Sequence, residues 1–171
     1  MGMDVYGKNP KNTTGEYFRR NVWGWRPLWQ YCENNYDDLV ADVSGHYNDG
    51  DGLDETGATE LANRIFADLK SGKAQEYIDQ RNAYLASLPR EKCDLCSGTG
   101  VRDDEVGVAN GMPSRKLSDE MAILLGRSIG WGNGCNGEGL KESWDTNYGL
   151  ELDDLKEFAE FLKDSGGFEI C

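Results

Sequence analysis

Between residues 150 and 165 apolar and polar positions recur with the period of a helix. Leu152, Leu155, Phe158, Ala159 and Leu162 fall on one stripe, and charged residues fill the rest of the surface. Asp153 and Asp154 stand in the first turn and Lys163 in the last, where each sign suits the helix dipole, and Gly166-Gly167 predicts the stop. A second stripe, Leu61, Ala62, Ile65, Phe66 and Leu69, predicts a helix with Thr56 or Thr59 as its N-cap and Ser71-Gly72 as its end. Ala74, Tyr77, Ile78, Tyr84, Leu85 and Leu88 predict another, ended by Pro89, and the short connection between the two predicts an antiparallel helical pair. A shorter helix is expected from Ser118, with Asp119 and Glu120 in its first turn before Met121, Ile123, Leu124 and Leu125, closed by the run from Gly126 to Gly130.

Other stretches lack that period. The first fifteen residues, with Gly7, Lys8, Asn9, Pro10, Lys11, Asn12 and Gly15, read as irregular chain wrapped over the surface. Tyr17 to Tyr31 is dense in aromatics, with Arg19, Arg20 and Arg26 interleaved; its tryptophans are assigned to the core, and a helix is expected to begin at Pro27. The arginines are expected to pair with the acidic residues of 32–62. Gly45-His46-Tyr47-Asn48-Asp49-Gly50-Asp51-Gly52 predicts tight turns. In an EF-hand register Tyr47 and Ala58 would occupy the first and last ligand positions, so calcium binding there fails. The resulting fold expectation is mainly α (α+β): a single helical domain, 1–171, with a small two-hairpin knuckle insert formed by 91–101 and 131–141.

Charge sharpens the picture. The net charge of −13 is concentrated in two blocks, with residues 32–62 at −9 and 131–171 at −7. Such a field repels nucleic acid and anionic lipid and attracts basic protein surfaces. Asp37, Asp38, Asp42, Glu151, Glu157 and Glu160 are the candidate partner-binding residues. No apolar run is long enough to cross a bilayer, and no basic segment followed by an apolar stretch opens the chain, so neither membrane nor export is expected. Five cysteines, two of them as Cys-x-x-Cys, favour thiolate chemistry in a reducing cytoplasm over a disulfide framework.

The strongest chemical signal is duplicated. Cys93-Asp94-Leu95-Cys96-Ser97-Gly98-Thr99-Gly100 matches C-x-x-C-x-G-x-G throughout, and Gly132-Asn133-Gly134-Cys135-Asn136-Gly137-Glu138-Gly139 matches all but its first cysteine. Two thiolates two residues apart can grip one zinc ion from a tight turn. Glycines at positive φ then let backbone N–H groups approach the sulfurs. The motif resembles the cysteine-rich zinc-binding region of DnaJ-type co-chaperones, in which such turns pair to hold each metal. That resemblance covers these sixteen residues and implies a structural zinc held by Cys93, Cys96 and Cys135. A J-domain His-Pro-Asp signature does not occur, so co-chaperone activity is not implied. Gly132 replaces the expected fourth cysteine; His46, Cys32 and Cys171 are the possible substitutes, and a metal-free double hairpin is the alternative.

No Walker-type phosphate loop, G-x-S-x-G elbow or H-E-x-x-H helix occurs, so an enzyme is not the leading reading. The opening Met-Gly-Met-Asp-Val-Tyr-Gly and the paired knuckles give the chain the look of the small acidic proteins encoded by bacteriophages and prophages. That resemblance implies a protein-binding factor in the host cytoplasm, inhibiting a host nucleic-acid-binding or defence complex, such as a CRISPR complex, by occupying a basic surface. Two other readings stay open: an enzyme with an unfamiliar site near the cysteines or in the loop of His46, and a DnaJ-like polypeptide-binding module.

Overall fold

The computed structural model describes residues 2–112, 118–126, 134–135 and 137–171. In chain order the elements are β1 (Gly2–Gly7), a 3-10 turn (Thr13–Gly15), β2 (Tyr17–Asn21), α1 (Val22–Val40), α2 (Glu55–Ser71), α3 (Lys73–Ser87) and β3 (Glu91–Lys92). They continue with α4 (Glu105–Ala109), α5 (Asp119–Leu125), β4 (Leu140–Lys141), a 3-10 turn (Trp144–Asn147), α6 (Leu152–Asp164) and β5 (Phe168–Ile170). The fold is mainly α with small sheets, as the periodicity predicts. The chain forms two compact units: Met1–Leu85 with Asn147–Cys171, and Ala86–Thr146.

In the first unit an antiparallel sheet of order β2-β1-β5 lines one side of an aromatic core. Val5 lies opposite Phe18 on one neighbour and Ile170 on the other. The segment 1–15 is therefore not irregular throughout: Met3 and Val5 alternate inward along β1, and the turn-forming residues begin only after Gly7. β2 pairs with it from nearby in sequence, whereas β5 joins it from as far as 165 residues along the chain at Val5↔Ile170, a pairing that no local pattern announces. β2 was likewise unexpected, and α1 starts at Val22 rather than Pro27 because the Asn21 side chain accepts the Gly24 N–H and caps the helix. Pro27 lies inside the helix, where it has no N–H to give to the carbonyl one turn back, and the helix is interrupted at Tyr36 (φ −139°, ψ 35°).

Trp25 and Trp29 stack with ring centroids 5.7 Å apart, and Phe158 meets Trp25 edge-on at 5.6 Å, so the tryptophans do build the core. The Trp25 indole N–H donates to Gly45 O at 2.7 Å. A Cβ on Gly45 would collide with the Trp29 ring at 1.8 Å, which explains a glycine at this close approach. α2 begins at the Asp54 cap, not at Thr56 or Thr59, and ends at Gly72 in the left-handed region (φ 86°). It packs chiefly against α6 and not back along α3, so the expected antiparallel α2–α3 pair is not formed. The reason is the stripe of α6: Leu155, Phe158, Ala159 and Leu162 are all fully buried and offer α2 a larger apolar face than the sparse stripe of α3, where Ala74 and Ile78 are the buried residues.

The second unit contains both knuckle segments, joined by β3 and β4 in register Glu91↔Lys141 and Lys92↔Leu140. Ser118 caps α5 and Gly126 ends it at φ 63°, as expected; residues 127–130 of the predicted stop lie outside the described residues. α4 caps on Asp104, whose carboxylate accepts the Gly107 N–H.

Candidate metal centre

The two knuckles share two hydrogen bonds at corresponding positions. In the first, Thr99 N–H donates to Cys96 O at 2.9 Å and Gly100 N–H to Cys96 Sγ at 3.2 Å. In the second, Glu138 N–H donates to Cys135 O at 2.9 Å and Gly139 N–H to Cys135 Sγ at 3.3 Å. Gly98, Gly100, Gly137 and Gly139 all take positive φ (84°, 75°, 80° and 82°), which is what turns those amides toward the sulfurs. The turns are sewn together where Cys93 N–H donates to Gly139 O at 2.9 Å, extending the β3–β4 ladder by one bond. Gly139 has a second reason to lack a side chain, since a Cβ there would lie 2.2 Å from Gly98 O.

This docking brings Cys93, Cys96 and Cys135 together, with all three Sγ atoms within 4.8 Å of one another. Cys96 Sγ and Cys135 Sγ are 3.7 Å apart. The three residues are 1%, 1% and 6% exposed. Burial opposes ionisation of Cys96, but the Gly100 N–H and the neighbouring sulfurs outweigh it and lower its pKa; burial pushes the Cys135 thiol up. Two cations border the cluster. Lys141 is paired with Asp94 at 2.7 Å and lies near enough to Cys93 to sense its charge, and Arg90 is paired with Glu138 at 2.6 Å and senses Cys135. Three close, buried sulfurs with N–H donors aimed at two of them can hold a metal ion.

Gly132, where the motif lacks its cysteine, lies outside the described residues, as do Asn133 and Asn136. None of the three proposed substitutes belongs to the cluster. Cys32 is fully buried in the first unit's core, where burial drives its thiol pKa far up. His46 Nε2 lies 3.2 Å from Glu33, and Cys171 follows β5 at the surface. The Asp51 carboxylate in the loop of His46 accepts the N–H groups of Ser44 and Gly52 at 2.7 and 2.8 Å, so it stabilises a turn. Those bonds hold its pKa below the usual range.

The six acidic candidates divide. Asp38 is engaged by Arg64 at 2.8 Å, Glu157 by Arg20, and Glu151 forms a reciprocal capping box with Asp154 at the start of α6. Asp37, Asp42 and Glu160 are exposed and have no ion pair among the described residues. The arginines do not pair with residues 32–62 as expected. Arg20 reaches Asp154 and Glu157 on α6, Arg19 reaches Asp4, and Arg26 lies over the Tyr148 ring at 5.9 Å.

One buried polar cluster went unread in the sequence. Tyr31 and Tyr36 hydroxyls both donate to Asp68 Oδ2, at 2.8 and 2.7 Å, and Lys73 Nζ lies 3.2 Å from the same oxygen. Burial would raise the Asp68 pKa, yet the two hydroxyls and the ammonium outweigh it and hold it low. The available signal was an acidic residue three positions after Ile65, on the apolar stripe of α2. Comparison with known protein families, curated proteins and solved structures found no match. No helix among the described residues is long and apolar enough to cross a membrane.

Proposed function

We propose that this protein is a zinc-knuckle interaction protein: one zinc ion on Cys93, Cys96 and Cys135 fixes the second unit, and the acidic surface binds a partner protein through a basic face. The observation that carries the reading is the sulfur cluster. At a Zn–S length of about 2.3 Å, tetrahedral ligands stand roughly 3.8 Å apart, and Cys96 and Cys135 already stand 3.7 Å apart. The cluster also answers a shortage. Among the described residues the buried cluster of the second unit consists of those three cysteines, and a unit of about 60 residues with so little apolar burial needs a cross-link to hold its shape. Zinc would supply that cross-link. The chain's own part is to present three thiolates, to stabilise two of them with the Gly100 and Gly139 N–H groups, and to border their charge with Arg90 and Lys141.

Metal analysis of protein purified under reducing conditions tests this directly. One zinc per chain is expected, lost in Cys93→Ser and Cys135→Ser. Zinc-free protein with a cooperatively folded second unit would count against it. The partner reading predicts binding to a basic protein that weakens steeply as salt rises and as Asp37, Asp42 and Glu160 are replaced by the corresponding amides. Salt-insensitive binding sinks it.

One observation favours a second reading. Val106, Val108, Ile123 and Leu124 in the second unit are 52–83% exposed, apolar side chains left in water. They suit capture of an unfolded polypeptide, which a reduced, denatured client protein would reveal by co-elution.

A further inference from the structure

Cys96 and Cys135 stand sulfur to sulfur at 3.7 Å across the two knuckles. Backbone contacts dock the turns that carry them. Cys93 N–H donates to Gly139 O at 2.9 Å beside the β3–β4 ladder, and a Cβ built on Gly139 would lie 2.2 Å from Gly98 O. Positive φ at Gly98, Gly100, Gly137 and Gly139 sets the shape of each turn. The opposition of the two thiols therefore follows from the way the turns meet.

We propose that Cys96 and Cys135 form a reversible disulfide when a peroxide oxidises them, so that the second unit has two alternative cross-links: a metal on three thiolates when reduced, one S–S bond when oxidised. The proposal goes beyond the zinc reading and rests on the spacing of the sulfurs, not on the metal. Bonded sulfurs stand about 2.05 Å apart, so closure from 3.7 Å asks for an approach of about 1.7 Å, which rotation of the two side chains shares. The bond would join positions 39 residues apart, and a cross-link over such a loop stabilises by constraining the unfolded chain. Small units with little apolar burial are held by a metal or by a disulfide. Here the same two residues serve both.

The step balances with one molecule of hydrogen peroxide. Each thiol gives up its proton and one electron, the S–S bond forms, the O–O bond breaks, and the two oxygens leave as two waters. From metal-bound thiolates the two protons come from solvent, and the metal is released. Cys96 and Cys135 are 1% and 6% exposed, so once one sulfur carries an oxygen its nearest reactant is the neighbouring thiol rather than a second peroxide. A reducing compartment keeps the thiol form, and oxidation leaves Cys93 as the one unpaired sulfur of the three.

Full-length protein carrying Cys171→Ser, which removes the exposed thiol, is treated with equimolar hydrogen peroxide, unfolded and capped with N-ethylmaleimide. Cleavage before aspartates then puts Cys93 and Cys96 on separate peptides, because Asp94 lies between them. A Cys96–Cys135 linked peptide is expected as the main product in the mass spectrum, reversed by a phosphine, with Cys93 and Cys32 capped. In excess chelator the Cys93 amide of the oxidised protein should exchange its hydrogen at least tenfold more slowly than that of the reduced protein. A Cys93–Cys96 link, links between chains, sulfinic acid without a link, or equal exchange in the two forms each overturn the proposal. Zinc content before oxidation judges the zinc reading separately: a zinc-free chain that still forms the Cys96–Cys135 link supports the proposal and sinks that reading alone.

Discussion

Gly139 combines two constraints that a single methyl group would violate, a φ of 82° and a distance of 2.2 Å from a built Cβ to Gly98 O. Strain of roughly 1–3 kcal/mol falls on the contact that docks the knuckles. Gly139→Ala should therefore weaken zinc binding about tenfold or more while leaving the first unit intact, which competition against a chromophoric chelator would measure. Asp68 carries the opposite kind of burden, a charge held inside by two tyrosine hydroxyls and Lys73. Asp68→Ala leaves both hydroxyls without their acceptor and should cost roughly 2–4 kcal/mol in denaturant unfolding. Because the folded-state pKa of Asp68 is depressed, its contribution is complete above the ordinary aspartate value of about 3.9 and is lost as pH falls through the lower folded value. The difference between wild type and variant should accordingly be flat at neutral pH and shrink below about pH 4; a gap that persists undiminished there assigns the effect to lost packing.

Among the elements, the helices were the most readable and their ends the least. α6 follows its stripe from Leu152 to Asp164 because period, end charges and the Gly166-Gly167 stop all agree. α2 was placed correctly but its start was not: Asp54, lying before two threonines that also suit a cap, is the residue whose carboxylate accepts the Gly57 N–H at 2.8 Å. Asp54→Ala should lower stability by about 1 kcal/mol, whereas Thr56→Ala and Thr59→Ala should leave thermal unfolding nearly unchanged. β1, β2 and β5 escaped because each is short and because β5 meets β1 from the opposite end of the chain. Met3-Asp4-Val5-Tyr6 alternates as a strand does, yet four residues of alternation carry little weight beside the turn-formers from Gly7 onward.

For the whole molecule, each unit has its own buried cluster, and they differ in kind. The first is built of Trp25, Trp29, Phe158, Phe161 and Phe168 and needs no metal. The second, among the described residues, is built of three thiols. Chelation should lower the unfolding temperature of the second unit and leave the near-ultraviolet signature of the stacked Trp25–Trp29 pair in place; simultaneous loss of both signals would deny the second cluster this separate role. Thiol labelling of the metal-loaded native protein should mark the exposed Cys171 first and spare Cys32, which is buried with its thiol pKa raised, until the first unit unfolds.

The sequence by itself determined what is local: the helical stripes, the aromatic supply of the core, the charge, and the two knuckles, whose C-x-x-C-x-G-x-G spacing dictates turn geometry and amide direction within eight residues. Tertiary structure alone decided what depends on distant partners. It chose α6 over α3 as the mate of α2, drew residues 2–7 into a sheet with 168–170, engaged Asp38, Glu151 and Glu157 internally, and turned Tyr31, Tyr36 and Asp68 into one polar cluster. The physical reason is that spacing along the chain fixes dihedral preference and facing direction. Which face finds cover, and which charge finds a counter-ion, is settled by competition among surfaces that meet only once the chain has folded.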